Sequence, residues 1–142
     1  MESYPLPART LVEQLSAAAA ATPERAIAFQ GAPGANSHLA ALGYCPDCLP
    51  LPCFSFEDAI EAVREGRAHR AIIPIENSLH GRVADMHFLL PESGLSIIDE
   101  YFLPIHHQLM APDDSPVSEV LSHVQALGQC RHYLREHAIR PI

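Results

Sequence analysis

Arg25-Ala-Ile-Ala-Phe-Gln30 is a compact apolar run that ends at Gly31-Ala-Pro-Gly34-Ala-Asn36, after which a helix-like Ser37–Leu42 follows. A second short run, Leu49–Phe54, leads into Ser55-Phe-Glu-Asp58, a serine three residues ahead of an acid, which has the form of a capping box. Phe56, Ala59, Ile60 and Val63 then recur at i, i+3, i+4, i+7, which predicts an amphipathic helix stopped by Gly66. Ala71-Ile-Ile-Pro-Ile75 reads as a third strand, continuous enough to be buried on both faces as parallel strands are. Residues 25–75 are therefore expected to form β-α-β-α-β, a parallel α/β lobe. Right-handed crossovers bring the carboxyl ends of its strands to one edge, where such sheets bind ligands.

Working outward, residues 1–24 read as an N-terminal extension, loose or carrying a short helix over Thr10–Ala21. Downstream, a helix is predicted over about Arg82–Leu90, closed by Pro91-Glu-Ser-Gly94, and then extended segments over Leu95–Tyr101 and Phe102–Met110. Ser115-Pro116 is a fair helix start, a cap followed by proline at the first helical position, with the helix running to about Leu121. A final helix is expected over Gln125–His137. The domain reading is thus an extension (1–24), a first α/β lobe (25–79) and a second lobe (80–142).

Composition excludes several functions. The chain has 142 residues, 48% of them hydrophobic, enough for one domain or two small lobes. Nine basic side chains against seventeen acidic ones give a net charge of −8, which argues against a nucleic-acid partner. All nine are arginines, so Schiff-base chemistry, a phosphate-loop lysine and a Ser-x-x-Lys pair are ruled out. Apolar runs such as Ala17–Ala21 and Ala71–Ile75 fall far short of the ~20 residues of a membrane span. No basic lead precedes the alanines, so no secretory signal is read and the expected location is cytoplasmic.

Cys45-Pro-Asp-Cys48, with Cys53 behind and His38 upstream, raises a zinc site, but structural zinc draws on two well-spaced ligand pairs and the second is missing. A redox C-x-x-C should open a helix, whereas Pro46 and Leu49-Pro-Leu-Pro52 argue for a loop running into a strand. His106 and His107 are adjacent in an extended-looking run and would point to opposite faces. No metal and no cofactor is expected.

Three motifs occur in order: Gly31-Ala-Pro-Gly-Ala-Asn-Ser-His38 after a strand, Ile73-Pro-Ile-Glu-Asn-Ser78 with Gly81 and Val83, and Ser122-His-Val-Gln-Ala-Leu-Gly-Gln-Cys130. Together they resemble the catalytic domain of prephenate dehydratase, over about Arg25 to Leu134, with Pro-Ile-Glu-Asn-Ser the most specific element. The resemblance implies conversion of prephenate, a dianion, to phenylpyruvate, carbon dioxide and water in phenylalanine biosynthesis. It also implies a bilobal fold like the type II periplasmic binding proteins, with substrate in the cleft, and a homo-oligomer for the full-length family.

The chemistry suits these residue types. The site must hold two carboxylates and help a hydroxyl leave while aromatisation drives the step, which neutral donors can do. A glycine loop ending at a helix N-terminus is such an anion cradle, although a tight strand-to-helix turn would look the same. By the resemblance, Asn77, Ser122 and Gln129 are the catalytic candidates, and Gly34, Ser37, Ser78 and Gln125 the substrate-binding ones. Asn77 could instead cap the next helix or shape the turn, and Ser122 could be a helix N-cap. Glu76 is read as a hinge anchor and Cys130 as packing. Val124 stands where the family has proline, and Phe88 where many members have an acid.

The family's Thr-Arg-Phe, whose threonine is thought to assist departure of the hydroxyl, does not occur here, and no threonine follows Thr22. The family's regulatory phenylalanine-binding domain is not recognised either. Two expectations follow: an incomplete dehydratase, inactive alone, or a noncatalytic relative that keeps a small-carboxylate cleft. Arogenate dehydratase shares the motifs. An unrelated solute-binding module is disfavoured by Pro-Ile-Glu-Asn-Ser.

Overall fold

The computed structural model describes residues 3–77, 81–82 and 84–142. It has two compact units, one formed by Met1–Glu76 with Arg82–Leu103 and the other by Asn77–Gly81 with Pro104–Ile142.

The first unit is built on a parallel three-stranded sheet of order β2-β1-β3, comprising β1 (Ala26–Gln30), β2 (Leu49–Cys53) and β3 (Arg70–Ala71). Side chains alternate along β1 and sort the core onto two faces. Ala26 and Ala28 join Leu51, Cys53, Ala19 of helix α1 (Leu6–Ala21) and Ala59 and Ala62 of α3 (Phe56–Arg64). Ile27 turns the other way, onto Ala41 of α2 (Asn36–Tyr44) and Cys48. Helices therefore cover both faces, as a parallel sheet requires. Alanine at Ala26, Ala28, Ala59 and Ala62, all at 0% exposure, lets the helix approach the strand closely.

In β2, Pro50 and Pro52 stand opposite Ile27 and Phe29 of β1 and alternate with Leu49, Leu51 and Cys53, whose backbone groups face β1, as the bond from the Gly31 N–H to the Cys53 carbonyl shows. Their missing N–H groups thus fall on the open side, and the edge offers few donors to another strand. The start of α3 follows the capping-box spacing, with the Ser55 hydroxyl accepting the Asp58 N–H at 3.1 Å.

Several expectations need correction. The N-terminal residues are not a loose extension, since α1 packs on β2 and buries Ala19 completely. The third strand is only two residues long. The Ile72 N–H still donates to the Ala28 carbonyl at 2.9 Å, but Ile72 and Ile73 are half-buried and Ile75 is exposed. β3 is an edge strand with one open side, and Pro74 has no N–H to extend the ladder. Beyond it lie a two-stranded ribbon of β4 (Glu76–Asn77) and β5 (Gly81–Arg82), and helix α4 (Ala84–Glu92). Residues 95–110 form no strand, and Ile97, Ile98, Phe102 and Met110 are exposed. The stretch reads as extended from sequence, but a strand exists only with a hydrogen-bonded neighbour.

In the second unit, β6 (Glu119–Val120) and β7 (Arg140–Pro141) pair in parallel, joined through α5 (Val124–Gln129) and α6 (Arg131–Glu136). Leu134 and Ile139 are buried, and Arg140 pairs with Glu119. The helix predicted from Ser115 is absent. Asp113 Oδ1 instead accepts the Ser115 N–H at 2.8 Å, a local turn that competes with helix, and Glu119–Val120 is claimed by the ladder to β7. The single final helix is two, broken at Cys130 (φ −98°, ψ 6°), where Gly128 weakens the preceding turn.

Candidate functional site

A sheet of order 2-1-3 reverses direction between β1 and β3, and the crevice beyond the carboxyl ends of those strands is where open α/β sheets bind ligands. The two segments leaving those ends are the glycine loop, from Gly31, and the Ile72–Glu76 stretch.

The loop is shaped by backbone conformations that only glycine adopts without strain. Gly31 has φ +126° and Gly34 φ +90°. The Gly31 N–H donates to the Cys53 carbonyl at 3.1 Å, tying the loop to β2, and the Ala35 N–H closes a turn onto the Ala32 carbonyl at 3.0 Å. Helix α2 then starts at Asn36 with Ala35 as its cap residue, and no side chain caps its first amides. Ser37 is half-buried in that first turn. Gly34 is exposed, but its N–H is engaged, donating to Nδ1 of His38 at 2.8 Å. The His38 ring stacks on Phe29, with centroids 5.2 Å apart and planes 12° off parallel. Burial holds the His38 pKa below its ordinary 6.5.

Asn77 lies in β4, and Ser78 is outside the described residues. Within the first unit, a shallow depression of about 310 Å³ is lined by Ile75, Glu76, Met86, His87, Leu90 and Ile97. Its walls are mostly apolar and its one acid is a carboxylate, which suits a dianion poorly.

In the second unit, Ser122 is exposed between β6 and α5. Its neighbour His123 caps α5, with Nδ1 accepting the Gln125 N–H at 3.2 Å. Gln125 and Gln129 share α5, four residues apart and on one face as predicted. Gln129 Oε1 lies 2.6 Å from Nε2 of His107. Gly34 and Ser37 are thus gathered at the sheet edge of the first unit, and Ser122, Gln125 and Gln129 around α5 of the second. Reasoning from sequence weighed His38 and His107 only as metal ligands. A histidine one helical turn after a left-handed glycine was the signal for His38; nothing local marked His107.

Two of the four cysteines, Cys48 and Cys53, are buried as packing residues. Cys48 is buried with Sγ 3.6 Å from the Ala41 carbonyl, and burial pushes the Cys53 thiol up to about 11. Among the described residues no three His, Cys, Asp or Glu side chains are placed to hold a metal, and no helix is long and apolar enough to cross a membrane.

Compared with known proteins, residues 27–142 match the family profile described as prephenate dehydratase. A bifunctional N-acyl-homoserine lactone acylase/prephenate dehydratase of Komagataeibacter europaeus is 43% identical over 122 residues, covering 84% of this chain and 43% of that protein. Arogenate dehydratase/prephenate dehydratase 6 (chloroplastic) of Arabidopsis thaliana is 42% identical over 111 residues, covering 76% of this chain and 27% of that protein. A solved structure described as GqqA, a novel type of quorum quenching acylases, superposes with a TM-score of 0.69 at 42% identity, covering 83% of this chain and 44% of that one. The chain spans less than half the length of these relatives.

Proposed function

We propose that this chain, which belongs to the prephenate dehydratase family, supplies the carboxylate-binding part of a dehydratase site for prephenate. In that reaction the ring carboxylate leaves as carbon dioxide. Its bonding pair enters the ring as the carbon–oxygen bond breaks, and the hydroxide takes up one proton and departs as water. Gaining the aromatic ring drives the step, so the protein's work is to grip two carboxylates and orient the departing hydroxyl with preorganised neutral donors.

In this reading the two units are the lobes of a fold like the type II periplasmic binding proteins. Asn77 is the orienting amide with Ser78 beside it, and Ser122, Gln125 and Gln129 form the second donor set. On the glycine loop the donors are the amides and hydroxyl at the start of α2, Ser37 foremost. The Gly34 N–H, assigned to substrate from sequence, is occupied by His38. The observation that carries the reading is that two of the three family motifs leave adjacent strands, β1 and β3, at the same edge of the sheet.

No threonine lies within residues 23–142, so the 142-residue chain is expected to form no phenylpyruvate from prephenate by the absorbance of the product. A longer protein carrying the Thr-Arg-Phe segment is expected to form it. Turnover by the short chain would contradict the role given to that threonine, and a silent longer protein would contradict the dehydratase reading. Arogenate, assayed in parallel, distinguishes the two substrates.

A further inference from the structure

The glycine loop is held by one side chain that the dehydratase chemistry does not need. His38 stands in the first turn of α2, and its ring reaches back to the loop that precedes the helix. Nδ1 accepts the Gly34 N–H at 2.8 Å, and the ring face lies on Phe29, a side chain of β1 with 0% exposure. The contact thus joins three elements, the central strand, the loop and the helix, through one imidazole. Gly34 sits at φ +90°, and a Cβ there would meet nothing within 4 Å. The position therefore calls for glycine because of its backbone conformation, and the His38 bond is what meets its N–H.

An Nδ1 that accepts a hydrogen bond carries no proton, so the ring is neutral and bears its hydrogen on Nε2. Among the described residues, the groups that meet it are the Phe29 ring and the Gly34 amide, neither of which titrates, and burial is what shifts its titration. A proton added at Nδ1 would put a second hydrogen against the Gly34 N–H, and the bond could not survive.

We propose that His38 is the positioning residue of the Gly31–Asn36 loop: its neutral ring, braced on Phe29, holds the Gly34 amide inward so that the first amides of α2 are presented to a substrate carboxylate, and protonation at Nδ1 releases the loop. This rests on the proposed function for the identity of the ligand, while the latch itself is a property of the loop.

Two substitutions separate its parts. His38→Phe keeps a ring on Phe29 and removes the acceptor; His38→Asn removes the ring but places Oδ1 where Nδ1 was. Solvent exchange of the Gly34 amide, followed by NMR on the 142-residue chain, is expected to be about fivefold to tenfold faster in His38→Phe than in the parent, the size of one neutral hydrogen bond, and near the parent rate in His38→Asn. In the parent alone, the Gly34 resonance should move with a midpoint below 6.5, the ordinary histidine value, coincident with the His38 ring. Prephenate affinity is expected to fall about fivefold to tenfold in His38→Phe and to stay within about threefold in His38→Asn.

Equal Gly34 exchange in the parent and His38→Phe, or a Gly34 resonance indifferent to His38 titration, would overturn the latch. Unaltered prephenate affinity in His38→Phe would overturn its positioning role. If the parent binds no prephenate, the proposed function fails, and the exchange measurements still decide the latch.

Discussion

The Tyr44 hydroxyl donates a 3.0 Å hydrogen bond to Oδ2 of Asp99, fastening the segment after α4 to the last residue of α2. Arg70 adds a longer bond to the same hydroxyl at 3.4 Å, and the Tyr101 ring meets Tyr44 edge-on with centroids 6.3 Å apart. Gly43 makes room for this, since a methyl group there would run into the Tyr101 hydroxyl. The segment, which has no sheet partner among the described residues, is thereby held by side-chain contacts.

Gly43→Ala should uncouple that clasp without unfolding the unit. The obstructing atoms are the tip of a half-exposed side chain, which can swing away, and alanine favours the helix by up to about 1 kcal/mol. The expected result is a chemical-denaturation midpoint close to the parent's, with shifted Tyr101 ring resonances and faster proteolysis within residues 95–103. Unmoved Tyr101 resonances would contradict the packing described.

Phe29 is fully buried on the central strand, and Phe88 on α4 is 76% exposed. Phe29→Ala should cost about 3–5 kcal/mol, while Phe88→Ala should stay within about 0.5 kcal/mol of the parent. Urea unfolding of both variants compares them directly, and similar losses would mean the core is misplaced.

Ser55→Ala removes the hydroxyl that accepts the Asp58 N–H and should destabilise by about 1 kcal/mol, whereas Ser55→Asp should retain most of the cap. Equal loss in both would show that the cap is not what the hydroxyl supplies.

The Cys53 thiol, raised from 9.0 to about 11 by burial, predicts both reactivity and pH dependence. At pH 8 it should resist a thiol reagent until the chain unfolds, with Cys48 behaving alike, while the half-buried Cys45 and Cys130 react first. Because the unfolded chain gives up this proton at lower pH than the folded one, the contribution to stability is intact below pH 9. It is lost progressively as the pH rises toward 11. Denaturation midpoints that stay flat between pH 8 and 11 would contradict the burial.

Much of the first unit was legible because its signals are local. The apolar run 26–30, the Ser55 cap and the Phe56–Val63 spacing each specify their element from within. The errors fall where a partner decides. Ala71-Ile-Ile-Pro-Ile75 has the composition of a central strand, but the β2-β1-β3 order leaves it at an edge, and Pro74 ends the ladder. The 95–110 stretch has strand character and no neighbour. Ser115-Pro116 looks like a helix start, yet Asp113 and the pairing of Glu119 with Arg140 overrule it. In the candidate site, the motifs located the loop and α5, but which loop donor is occupied depended on where one histidine ring folds back. Spacing alone does not encode that.

Calorimetric titration of the 142-residue chain with prephenate tests the central claim most directly. A saturable heat that Asn77→Ala abolishes, while leaving the denaturation profile unchanged, is the predicted result. No heat from the parent chain, or the same heat from Asn77→Ala, would contradict the account.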